Sequence, residues 1–134
     1  MRHTVFFFLI ACDSDKAIST FNSPPSATIT SHVDGQTLMA GTQTTFVGTV
    51  SDTNHETASL QTVWYAGEEI LCDEETPQTD GSTICATTIT AVMNQIRLVV
   101  LDPEGEAGVA AIDLDISEST PPLIDLISPL AGIP

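Results

Sequence analysis

A chain of 134 residues has room for one domain with a small core. Three Lys and Arg stand against 18 Asp and Glu, a formal net charge of -15. That balance excludes nucleic acid as a partner, because phosphate binding needs clustered cations to displace counterions, and it leaves cations as the natural small partners of a strongly solvated surface. Hydrophobic residues make up 42% of the chain, too many for a disordered polyanion, and they are mainly Val, Ile, Leu and Ala interleaved with Thr, a mixture suited to strands.

Residues 5–10, Val-Phe-Phe-Phe-Leu-Ile, form an apolar run behind Arg2, and polarity returns abruptly at Asp13 after Ala11 and Cys12. A charged start, an apolar run and a small residue before the cut describe a secretory signal, here at the short limit for such runs. A membrane-spanning helix needs about 20 apolar residues, so this segment is not one. Leu9-Ile10-Ala11-Cys12 resembles the lipobox of bacterial lipoproteins. The resemblance implies a signal peptide over 1–11, acylation of Cys12, and an exported protein held at the bacterial cell envelope by an acyl anchor in the membrane; without acylation the protein is secreted. Residues 12–26 lack apolar periodicity and contain Ser, Thr, Asn and the pair Pro24-Pro25, the composition of a flexible tether with an extended end.

Strand signals follow at roughly ten-residue spacing. Residues 27–31 read as an edge strand closed by the turn Asp34-Gly35. In 44–50, Phe46, Gly48 and Val50 share one face, and Gly48 leaves room for a close sheet. Leu60, Thr62 and Trp64 share a face of 60–65, with Trp64 as the expected core anchor. Residues 69–72 add a short strand, 73–82 a long polar loop, and 83–90 a β-branched strand. Residues 95–101 turn Ile96, Leu98 and Val100 inward and Arg97 outward, Asp102-Pro103-Glu104-Gly105 makes a hairpin turn, and 109–116 alternates strictly through Ile112, Leu114 and Ile116. About seven short strands in this rhythm predict an all-β, immunoglobulin-like seven-strand β-sandwich with Greek-key connections over 27–118.

The paired prolines, the segment 41–52 (Gly-Thr-Gln-Thr-Thr-Phe-Val-Gly-Thr-Val-Ser-Asp), Leu60-x-x-x-Trp64 and Ile96-x-Leu98-x-Val100-x-Asp102-x-x-Gly105 resemble bacterial immunoglobulin-like and PKD-type repeats. That resemblance implies tandem repeats on an exported protein, acting as spacers, adhesive units or carbohydrate-facing accessories to enzymes. Pro24, Ser31 and Gly35 recur at Pro121, Ser128 and Gly132, an offset of 97 (121 − 24) and the length of one such sandwich, so 119–134 reads as the start of a second, truncated repeat. The functional expectation is a non-catalytic cell-surface lipoprotein module, a structural or adhesive spacer whose partners are neighbouring repeats and protein or polysaccharide at the cell surface. The alternative is an accessory domain of an exported enzyme whose catalytic part lies beyond Pro134.

Cys72 and Cys85 are 13 positions apart (85 − 72) and in an exported chain are expected to pair, stapling the polar loop to its neighbouring strands; Cys12 is then the odd cysteine. A zinc site from this pair with His55 lacks a paired knuckle. His32 and His55 sit in turns and read as solvated, as do Glu68-Glu69 and Glu74-Glu75, and neither a nucleophile elbow nor a phosphate loop occurs. The one site carried forward is for calcium. Asp52, Asn54 and Glu56 place oxygens at alternate positions in one loop, and Asp102 and Glu104 do likewise in another. In a sandwich those two loops share an end. Thr57 and Val63 occupy the glycine and closing-glutamate positions of an EF-hand, so the loop is not one.

Overall fold

The computed structural model describes residues 21–124, and the signal segment with Cys12 lies outside them, as does most of the second-repeat segment. Eight strands follow one another: β1 (Ser26–Ile29), β2 (Gln36–Met39), β3 (Gln43–Ser51), β4 (Gln61–Ala66), β5 (Glu69–Glu75), β6 (Ser82–Thr88), β7 (Gln95–Leu101) and β8 (Ala107–Ser117). They form two sheets, one in the order β1-β3-β6 and one in the order β2-β8-β7-β4-β5. All pairings are antiparallel except β2 with β8. The only helix among the described residues is one 3-10 turn, Thr57–Ser59, and no described helix is long and apolar enough to cross a membrane.

The sheets close on the faces that the alternation marks. Phe46 and Val50 from β3, Trp64 from β4, Ile96, Leu98 and Val100 from β7, and Ile112 and Leu114 from β8 are buried together with Leu60, Cys85 and Ile89. Burial of such side chains supplies most of the favourable free energy, roughly 1.5–3 kcal/mol each. Phe46 and Trp64 face each other across the sheets with ring centroids 6.2 Å apart. Gly48 lies between them, and a Cβ there would run into Leu98 and crowd the Trp64 ring at 3.3 Å, so the close approach of the sheets requires glycine.

A polar seam runs through this core. The Thr62 hydroxyl donates to the Glu75 carbonyl at 2.9 Å and lies 3.2 Å from Thr83 Oγ1; the Trp64 indole N–H donates to that same Thr83 oxygen at 3.1 Å. With Thr83 donating to Thr62, every one of these buried hydrogens has an acceptor, as burial demands. The seam joins β4 of one sheet to β6 of the other.

Three features depart from the sequence reading. Strand β2 is an eighth strand: four residues carry too short an alternation to register, yet Gln36–Met39 pairs with Leu114–Ser117 along the sheet edge. Cys72 and Cys85 are bonded, with Cα atoms 5.9 Å apart, but the bridge does not tie a loop to flanking strands. Cys72 sits within β5 and Cys85 within β6, so it joins the two sheets at one side of the sandwich. The expected polar loop is shorter, 76–81, because the acidic residues Asp73, Glu74 and Glu75 continue β5 along an exposed edge.

Candidate functional site

The end of the sandwich where β1 begins gathers three segments: residues 22 and 23 ahead of β1, the β3–β4 loop and the β7–β8 turn. Each acidic side chain here is placed by its own backbone. Asp52 Oδ1 accepts the N–H groups of Asn54 and His55, the turn that an Asp favours after a strand. Asp102 Oδ1 accepts the N–H groups of Glu104 and Glu106, both at 2.9 Å, and so closes the β7–β8 hairpin. Asp102 Oδ2 then accepts the Asn22 side-chain N–H at 2.6 Å, while Ser23 N–H donates to Asn54 Oδ1 at 2.9 Å, so the incoming chain is tied to both loops.

His55 sits among these carboxylates. Its Nδ1 is 3.5 Å from Asp52 Oδ1 and 3.9 Å from Asp102 Oδ2, and its Nε2 is 3.7 Å from Glu104 Oε1. The Asp52 and Asp102 side chains have 0% exposure and His55 18%, whereas Glu104 reaches into solvent. Ligand atoms of Asp52, His55 and Asp102 lie within 4.8 Å of one another. Burial pushes the Asp102 carboxyl up, but the hydrogen bonds from Asn22 and from the backbone N–H groups of Glu106, Glu104 and Gly105 outweigh it and hold the group below the ordinary carboxylate range.

Of the five residues expected to hold calcium, the fold brings Asp52 and Asp102 together and sets Glu104 against the far side of His55. Asn54 is close by but spends its oxygen on Ser23, and Glu56 is exposed, its carbonyl accepting from Ser59. The sequence reading missed His55 and Asn22. The Asp-x-x-His spacing of Asp52 and His55 was a usable signal, since an Asp-initiated turn folds its fourth residue back over the carboxylate. Nothing local marks Asn22, which meets Asp102 from 80 positions away.

His32 is not simply solvated either: its ring packs on Phe46 at 4.7 Å between centroids, and burial lowers its pKa. Glu68, Glu69, Glu74 and Glu75 are exposed as expected. The cysteines, being bonded, are not available as metal ligands. A surface groove over β3 and β6 is lined by Gln43, Thr44, Thr45, Ala86, Thr87 and Thr88, side chains without a nucleophile–base pair.

No protein-family model matches the chain, and no curated protein matches it. Solved structures do. The M1 domain of titin aligns with a TM-score of 0.52 at 19% identity, over 71% of this chain and 96% of that domain. The N-terminal Ig1-2 module of the Drosophila receptor protein tyrosine phosphatase DLAR aligns with a TM-score of 0.52 at 18% identity, over 74% of this chain and 53% of that module. The M4 domain of titin aligns with a TM-score of 0.50 at 17% identity, over 73% of this chain and all of that one. The fold is immunoglobulin-like. At these identities the likeness concerns architecture alone.

Proposed function

We propose that this immunoglobulin-like domain is a non-catalytic spacer and adhesive unit of a cell-surface lipoprotein, one link in a tandem array anchored through an acyl group on Cys12. The observation that carries the reading is where the chain enters and leaves the described sandwich. Asn22 enters beside Asp102 at one end of the sandwich, and Ser117 leaves at the far end of β8, beside Met39. Strand β8 has 11 residues, so each such unit advances the chain by about 36 Å. Entrance and exit at opposite poles let copies follow head to tail, the geometry a spacer needs.

The outer face of the five-stranded sheet supports the adhesive part of the reading. Ile70, Tyr65, Arg97 and Ala111 are aligned across four strands in one row, and Val63, Val99 and Val109 in the next. Ile70 is 59% exposed and Val109 56%, and Arg97 lies over the Tyr65 ring at 5.2 Å. An apolar face with an aromatic and an Arg suits a protein or polysaccharide surface outside the cell.

Intact-mass analysis of protein extracted from membranes tests the anchor. We expect a diacylglyceryl-sized increment on Cys12 as the first residue, and release of a Cys12→Ala variant into the soluble fraction. An unmodified Cys12 in membrane-extracted protein rules out the lipoprotein assignment. A catalytic domain encoded directly beyond Pro134 would instead make the module an accessory of an exported enzyme.

A further inference from the structure

Two fully buried carboxylates, Asp52 and Asp102, lie within 4.8 Å of one another with no Lys or Arg of the described residues near them. Arg97, the only Lys or Arg among the described residues, is in the other half of the sheet, donating to the Gly67 carbonyl at 2.9 Å. Buried charge of one sign needs a counter-charge or a proton. The same place holds polar atoms without partners. Asn22 Oδ1, Asp52 Oδ2 and His55 Nδ1 are three of the four buried side-chain atoms that lack a hydrogen bond among the described residues. Native proteins leave few such atoms, and their concentration at one point calls for a ligand there.

We propose that this cluster binds one divalent transition-metal ion of the borderline class that zinc represents, through His55 Nδ1 and one oxygen each from Asp52 and Asp102. Asn22 Oδ1, beside Asp102, is the fourth donor. Tetrahedral bonds of about 2.0–2.2 Å separate neighbouring donors by about 3.4 Å. The imidazole nitrogen already stands 3.5 Å from one carboxylate and 3.9 Å from the other, so little rearrangement closes the shell. Backbone N–H groups fix Asp102 Oδ1 and leave Oδ2 turned toward His55. On the far side of the ring, Glu104 Oε1 lies 3.7 Å from Nε2, where it can accept the Nε2 proton in a hydrogen bond once the metal holds Nδ1, the arrangement of a carboxylate behind a metal-bound histidine. Calcium asks for six to eight oxygens and makes no use of imidazole, whereas here a histidine is central and Glu56 stays outside. The ion would join the incoming segment, the β3–β4 loop and the β7–β8 turn, fastening the tether to the domain.

The test uses the full chain, stripped with chelator, in a Cys12→Ser background, which leaves neither an acyl group nor a thiol at position 12. Calorimetric titration with zinc is expected to show one ion per chain, with an unfolding midpoint that rises with zinc concentration. The ¹⁵N resonance of His55 Nδ1 is expected to move to the metal-bound range while Nε2 stays protonated. Exposed Glu104→Gln should weaken zinc by tenfold or more, and His55→Ala by at least a hundredfold. The NMR readout on unaltered side chains stands even if His55→Ala fails to fold. Absence of a zinc-dependent midpoint at millimolar ion overturns the proposal. So does a zinc shift at His32 instead of His55, or an equal stabilisation by calcium that survives His55→Ala.

Discussion

Single residues in this domain act through partners in the opposite sheet. Thr83 is the clearest case, since it accepts from the Trp64 indole and completes the hydrogen bonding of Thr62. Replacement by the near-isosteric valine keeps the volume but strands the buried Trp64 N–H and leaves Thr62 one partner short, its bond to the Glu75 carbonyl remaining. Thr83→Val should therefore lose about 1–3 kcal/mol in urea unfolding with an unchanged m-value. Asp102 gives a second expectation, through pH. Its folded pKa lies below the ordinary carboxylate range, so the folded state favours the charged form. The stability this contributes is complete above the unfolded value and is lost as pH falls through the folded one. An acid titration of the thermal midpoint should show a steep fall below about pH 4, flattened in Asp102→Asn. A flat profile in the unaltered protein would contradict the hydrogen bonding described at the β7–β8 turn.

At the scale of strands, the two sheets are held together by packing, by the polar seam and by one covalent link. The Cys72–Cys85 bridge closes a short loop, and losing it should cost about 3 kcal/mol in the chain-entropy model. Cys72→Ala with Cys85→Ala should cost more than reduction alone, because Cys85 is also part of the buried core. Comparing unfolding midpoints of the reduced protein and the double variant checks this. Strand β1 rests on β8 at Gly108, where an added Cβ would collide with the Pro25 carbonyl oxygen. Gly108→Ala should displace the start of β1 and destabilise by about 1–3 kcal/mol, with faster amide exchange at β1. Most strand positions were legible in the sequence, but not their order within the sheets. The alternations in β3, β7 and β8 identify their buried faces from residue type alone, because a half-buried strand repeats every two residues, whereas in β4 Val63 is buried along with Thr62 and Trp64. β2 was not legible, since its place is decided by a neighbour 78 positions away rather than by its own pattern.

For the whole molecule, most pairings join strands distant in sequence, as in β1 with β3, β3 with β6 and β2 with β8. Loop closure must precede such contacts, so refolding of the disulfide-intact domain in stopped-flow fluorescence of Trp64 should fall in the millisecond-to-second range. Fold class, acidic surface, the core anchor Trp64 and the shared end of the two acidic loops can all be read from residue order, because they follow from local periodicity and from rules general to sandwiches. Contacts between the folded strands and loops alone establish that Cys72 and Cys85 face one another across the sheets, that Thr83 satisfies Trp64, that His55 meets both Asp52 and Asp102, and that Asn22 bonds Asp102. Those relations depend on the register between strands and on the packing distance between sheets. Neither leaves a trace in the order of residues along one strand.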